Sequence, residues 1–458
     1  MNEFKILMGK IASTLADFAW GWPLITVLIG GGFYLFVFSR GLPLTGFLMA
    51  LKLVSGKFHH TDEEKAKGQL SHFKALTNAI AATVGLGNIG GVAVAISSGG
   101  PGAVFWMWVA AFLGMNTKFF ECTLALMYRG IDYRGEVQGG PMYVIKNALP
   151  KKFHWLAYLF AFFGLLGCMA MYNVNQLADY MNSHYSMERS WVGLFSAFLI
   201  AYILMGGIRR IAQFTSSIVP FMCVVYVLSC TFILIQNIEL IPSILWSIVQ
   251  EAINPVAISG GTLGWAFKEV MIIGVRRAAF SNEAGIGTAP MAHSNAKTNE
   301  PVSEGLVAML GPLIDTLIIC TMTALVILIS FPEKSYTQTE GVLLTLAAFE
   351  KGIPDWGGHI LGVSIILFSV TTMIGMANYN EKCWNFLFKG RWGLGEKTYI
   401  IFFSTSIWLG AIFPLETVLN FIDAGLGLMA FPNMAATLIL APKVKDALKL
   451  YFQKYVDG

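Results

Sequence analysis

Residues 77–97, LTNAIAATVGLGNIGGVAVAI, form an apolar run long enough to cross a bilayer, yet carry Gly85, Gly87, Asn88, Gly90 and Gly91 at its centre. A helix in hydrocarbon has to pair its own N–H and C=O groups, because each unpaired group costs several kcal/mol there. Four glycines and an asparagine weaken the helix where water cannot help. The pattern makes sense when freed backbone groups meet a ligand at mid-membrane depth, as in transporters built on discontinuous helices.

The rest of the chain supports a membrane setting. Of 458 residues, 55% are hydrophobic and 13% charged, far from the balance of a soluble domain. Apolar stretches fall near 22–39, 77–97, 101–127, 154–180, 190–206, 211–236, 259–290, 305–330, 358–380, 398–413 and 415–440. These predict an all-α polytopic protein with eleven transmembrane helices in a single transporter domain over 1–458. Trp20 and Trp22 at the start of the first stretch suggest an interfacial belt. No A-x-A-like cleavage site follows that stretch, so it is expected to remain as a span.

Charge sets the orientation. With the segment between the first two spans placed inside, alternation collects 24 of the 31 Lys and Arg on that side, counting Arg276 and Arg277 with Lys297. This predicts the N-terminus outside and the C-terminus in the cytoplasm of a bacterial-type inner membrane. A net charge of +4 is thereby explained by topology rather than by nucleic acid. Five of the six cysteines lie within spans and Cys383 on the inner side, none at metal-ligand spacing.

Without the extra helix at 22–39, ten spans remain, divisible into a first repeat over 77–236 and a second over 259–440. Five spans per half inverts the second half relative to the first. The second half is then expected to open on its own interrupted helix, and Gly260, Gly261 and Gly264 in SGGTLGWAFK are the candidates.

The strings VGLGNIGGVAVAI, GGPGAVFWMWVAAFLGMNTKFFE, QGGPMYVI and RRAAFSNEAGIGTAPMAHS resemble the alanine/glycine:cation symporter family, the sodium:alanine symporters, over roughly residues 20–440. The resemblance implies a leucine-transporter (LeuT) type fold with a 5+5 inverted repeat behind one extra helix, and uptake of alanine or glycine with Na⁺ as the co-transported ion. It also implies Na⁺ ligands at the carbonyls of Ala81 and Val84 and at Phe368, Thr371 and Thr372. The N–H groups of Leu86 and Gly87 would receive the substrate carboxylate, with Gly85 leaving room for the approach. Thr83 and Asn88 match positions of a second cation site in some relatives and are grouped here with the substrate-binding residues.

Four positions depart from the family pattern. Asn173 stands where a glutamine contacts substrate, Cys168 at a usually small position, Thr262 where an aromatic ring is common, and Met376 where a tryptophan is usual. Losing two large rings enlarges the site, and Met adapts to varied shapes. Alanine or glycine remains the first expectation, with a larger neutral amino acid such as glutamine or serine as the alternative.

Charged residues within spans are costly and often functional. Lys118 and Glu121 are one helical turn apart and read as a mutual ion pair; Asp315, after Pro312, as a gating or structural hydrogen-bond partner; Glu283, in SNEAG, as a structural or inner-gate residue pairing with Arg276 or Arg277. Neither a nucleophile with its base, a metal cluster nor an organic-cofactor motif occurs in the spans, so catalysis is not expected. A cation channel is the remaining alternative, but two unlike halves around one site argue against a repeated pore. The partners implied are a small neutral amino acid and the lipid bilayer, and a monomer suffices.

Overall fold

The computed structural model describes residues 2–55, 71–253, 263–332 and 339–455. Thr262, Gly260 and Gly261 lie outside these. Among the described residues, six helices are long and apolar enough to cross a membrane, and two further pairs qualify as bent spans. Helix α1 (Asn2–Ala19) turns by 43° into α2 (Trp22–Phe38), and α3 (His72–Thr83) by 50° into α4 (Gly87–Gly99). Then follow α5 (Gly102–Met127), α6 (Trp155–Gly167), α7 (Met171–Tyr185), α8 (Arg189–Leu204) and α9 (Gly207–Gln236). After them come α10 (Leu263–Asn282), α11 (Ala289–His293), α12 (Pro301–Ser330), α13 (Val342–Gly352), α14 (Gly357–Phe388), α15 (Glu396–Ile412) and α16 (Leu415–Tyr455).

One continuous apolar core joins them. Its centre holds the two breaks: α3/α4 packs against α10, α12 and α14, while α5 lies along both α10 and α12. A small antiparallel hairpin pairs Gly130 with Gln138 beyond the end of α5.

Three expectations are corrected. Gly264 makes no helix break, since α10 runs unbroken through it to Asn282, and Gly260 and Gly261 lie outside the described residues. The break falls at 283–288, where Glu283, Gly285 and Gly287 take φ of 60°, 81° and 98°. Left-handed backbone ends a helix, whereas glycine near a helix start does not. Trp20 does not present its ring to lipid: it is buried, and its indole N–H donates to the Asp423 carbonyl at 2.9 Å, because α1 and α2 bend around it. Arg276 and Arg277 sit inside α10, ahead of the break, whereas Lys297 follows it, so the three do not share one loop segment.

Candidate functional site

The first break begins where Val84 leaves helical geometry at ψ 96°, its N–H still bonded to Ile80 O. In a continuous helix the Gly85 N–H would pair with Ala81 O. Here it donates instead to Asn88 Oδ1 at 2.8 Å, and Asn88 N–H turns back to Gly85 O at 3.0 Å. The carbonyls of Ala81 and Val84 thereby lose their helical partners. Among the described residues the N–H groups of Leu86 and Gly87 meet no hydrogen-bond acceptor. Freed acceptors on one side of the turn and freed donors on the other are what a cation and a carboxylate require.

Thr372, on α14, faces this turn. A Cβ on Gly85 would overlap Thr372 Oγ1, and that buried oxygen has no hydrogen-bond partner. A hydroxyl orphaned beside two freed carbonyls is the donor chemistry an alkali cation takes, so the residues present fit Na⁺. Thr371 Oγ1 bonds back to Leu367 O at 2.8 Å and lies 3.4 Å from Met222 Sδ on α9, leaving only lone pairs to offer. The Phe368 ring packs on Tyr226, so its carbonyl is the group it can contribute. Thr83 Oγ1 donates into its own helix at Ala79 O, 3.1 Å away.

Asn88 is committed to the protein itself. Its amide reaches Asp315 O at 3.0 Å, Asp315 Oδ1 at 2.6 Å and Cys320 Sγ at 3.3 Å, which ties the break to α12. Asp315 also accepts from Ser281 and Thr316. Its expected role as a hydrogen-bond partner therefore has a geometry: it joins both broken helices.

The two asparagines of α7 diverge. Asn175 donates to Gly410 O and Phe413 O on and just after α15, while buried Asn173 makes no hydrogen bond among the described residues. The helix is itself interrupted between Gly167 and Met171, at Cys168. Met376 lies one turn beyond Thr372 and is buried.

Several residues were missed in the sequence. The Tyr172 and Phe280 rings meet edge to face at 5.1 Å, and Tyr172 Oη reaches Leu86 O at 3.5 Å, which covers the break from one side. Gly87 packs on Phe280 and Ser281. The Arg277 guanidinium lies 5.3 Å from the Phe280 ring centre. A tyrosine before the Asn173 position and a phenylalanine before SNEAG are ordinary in apolar spans, so only their meeting marks them.

Two predicted ion pairs are replaced. Arg276 and Arg277 both bond to Asp423 on α16, not to Glu283, which has left the helix and its register. Lys118 and Glu121 form no ion pair within reach; Glu121 accepts instead from Asn433 Nδ2 at 2.7 Å and Gly285 N–H at 3.4 Å.

The sodium:alanine symporter family matches residues 5–458. The chain belongs to that family. It is a membrane amino-acid symporter of a sodium-coupled family, and its relatives are transporters rather than enzymes. It is 38% identical to the sodium/alanine symporter AgcS of Methanococcus maripaludis, over 96% of this chain and 97% of that one. It is 34% identical to the probable sodium/glutamine symporter GlnT of Bacillus subtilis, over 99% and 92%. The structure resembles the crystal structure of MhsT in complex with L-phenylalanine at a TM-score of 0.56 and 13% identity, covering 84% of this chain and 99% of the other. That likeness is one of fold.

Proposed function

We propose that this protein imports a small neutral amino acid, alanine or glycine first, with Na⁺ by alternating access. The observation that carries the reading is the turn at 84–88, where two carbonyls, two N–H groups and the Thr372 hydroxyl are left without partners in a buried setting. Na⁺ would be held by Ala81 O, Val84 O, Phe368, Thr371 and Thr372, joining the first broken helix to α14. The substrate carboxylate would meet Leu86 and Gly87 N–H, with Gly85, Thr83 and Asn88 shaping the turn and Asn173, Thr262 and Met376 bounding the side chain.

In this reading the eleven spans form an extra helix at 22–39 and two inverted repeats over 77–236 and 259–440. The second break at 283–288 supports it, because each broken element then opens a repeat. The chain sits in the inner membrane with its N-terminus outside. Each ligand stabilises the closed form more than its rivals, so Na⁺ and substrate tighten each other's binding by the same factor.

Glutamine or serine as substrate has a specific support: Met376, buried one turn beyond Thr372, occupies a position where the family pattern has a tryptophan, and one relative is named as a probable glutamine symporter. The test is uptake of labelled amino acids into proteoliposomes under an inward Na⁺ gradient. Saturable, Na⁺-dependent alanine uptake is expected. Unsaturable flux of cations without amino acid would replace the reading with a channel.

A further inference from the structure

Around the second helix break, buried polar groups converge without bonding. Glu283 is 2% exposed, and neither of its carboxylate oxygens has a hydrogen-bond partner. The buried hydroxyls of Thr288 and Tyr379 face the carboxylate, but neither is set in full hydrogen-bond geometry on it or on any other group. A carboxylate in such a place is unfavourable unless a charge or a donor joins it.

The surrounding elements supply too little positive charge. From α5 come Lys118, Glu121 and Cys122; from α12, Asp315; from the turn between α6 and α7, Cys168; from α14, Tyr379. Three buried carboxylates thus gather near a single buried ammonium. Glu121 is satisfied by Asn433 and Gly285, and Asp315 by Asn88, Ser281 and Thr316. Glu283 has only the two facing hydroxyls, Thr288 and Tyr379, as candidate donors.

We propose that Glu283 is a proton-binding site at the second break, taking up a proton during the transport cycle in addition to the Na⁺ held at the first. The carboxylate accepts H⁺ from the water that reaches it when one gate opens, becoming a neutral acid. That acid can then donate to Tyr379 Oη or Thr288 Oγ1, and it returns the proton to water on the other side or at the next opening. A metal ion fits less well, because the Lys118 ammonium repels it and two hydroxyls do not complete an oxygen shell. The inference rests on the transport reading and goes beyond it.

The experiment measures Na⁺-driven alanine uptake by the full-length protein in proteoliposomes from acid to alkaline pH, with an enclosed pH dye reporting proton movement. Wild-type uptake is expected to change about tenfold through one titration, and Glu283→Gln to be flat with pH. Tyr379→Phe and Thr288→Val remove donors to the charged form, so they should move the midpoint to higher pH. A merely structural role would lower uptake equally at every pH. If Glu283→Gln does not fold, the midpoints of the two hydroxyl variants decide. Na⁺-driven uptake that is pH-independent in wild type, or a wild-type profile in Glu283→Gln, overturns the proposal while leaving the transport reading intact. Absence of Na⁺-driven uptake altogether overturns the transport reading itself.

Discussion

The backbone N–H of Gly85 is held by Asn88 Oδ1 at 2.8 Å. This bond diverts the donor that Ala81 O would use in a helix, and so keeps the first span open. The same asparagine grips Asp315 through its amide. One side chain both makes the break and anchors it to α12.

Replacing that residue tests the arrangement. Asn88→Ala leaves the Gly85 N–H and the Asp315 carboxylate each short of a partner in a buried place, at a cost of about 2–4 kcal/mol. Thermal unfolding of purified protein should show the loss, and Na⁺-driven uptake should fall at least about tenfold. Unchanged melting together with unchanged uptake would mean that the turn holds itself.

Gly85 and Thr372 make a coupled pair. Gly85→Ala places a methyl group on the Thr372 hydroxyl, so it should destabilise the protein by about 1–3 kcal/mol as an overpacked contact does. The double variant with Thr372→Ala frees that space and should regain much of the stability, without regaining Na⁺ dependence. Thr372→Ala alone should raise the Na⁺ concentration for half-maximal uptake about tenfold or more. A double-mutant cycle with no coupling would show that the contact is relieved elsewhere.

Asp423 carries two guanidiniums, from Arg276 and Arg277, at a fully buried position. Asp423→Asn leaves them with a neutral partner, and breaking a buried pair in this way costs about 3–5 kcal/mol. A large drop in melting temperature or in folded yield is expected, more than for Asp179→Asn, whose pair with Arg189 is partly exposed. Equal effects at the two sites would indicate that water reaches Asp423.

The Tyr172 and Phe280 contact is expected to act on binding rather than on Na⁺. Phe280→Ala opens the cover over Leu86 and Gly87, so half-saturation for alanine should rise by about tenfold while maximal uptake falls less. A change in Na⁺ dependence with unchanged alanine affinity would place Phe280 in a different role.

Replacing Na⁺ with choline provides a test without mutation. Alanine should raise the melting temperature in Na⁺ and have little effect without it, since a ligand stabilises only the form it binds. Equal stabilisation in both salts would uncouple the two ligands.

Much of this was legible in the chain. Glycines at 85, 87, 90 and 91 with Asn88 mark a broken span, because apolar composition calls for a helix and glycine and asparagine oppose it. The Asp315 role was legible too, since an acid in a span has to find donors. The second break was misplaced because glycine identity alone does not report φ. Gly264 looks as permissive as Gly285 and Gly287, yet it lies within a helix while the latter two are held at positive φ by the packing around them.

The ion pairs were misassigned for a related reason. Spacing along a helix pairs Lys118 with Glu121 and brings Arg276 and Arg277 close to Glu283 in sequence. In the folded chain Asn433 and Asp423, more than a hundred residues away, are nearer.

The sequence by itself determined the class of protein and the place of its first break. Apolar length, glycine content and basic flanks are local properties, and hydrocarbon acts on them segment by segment. Only the tertiary structure decided which buried charges meet, which ring covers the turn and which carboxylate faces only two hydroxyls. Those are relations between helices distant in sequence, set by packing that no local pattern encodes.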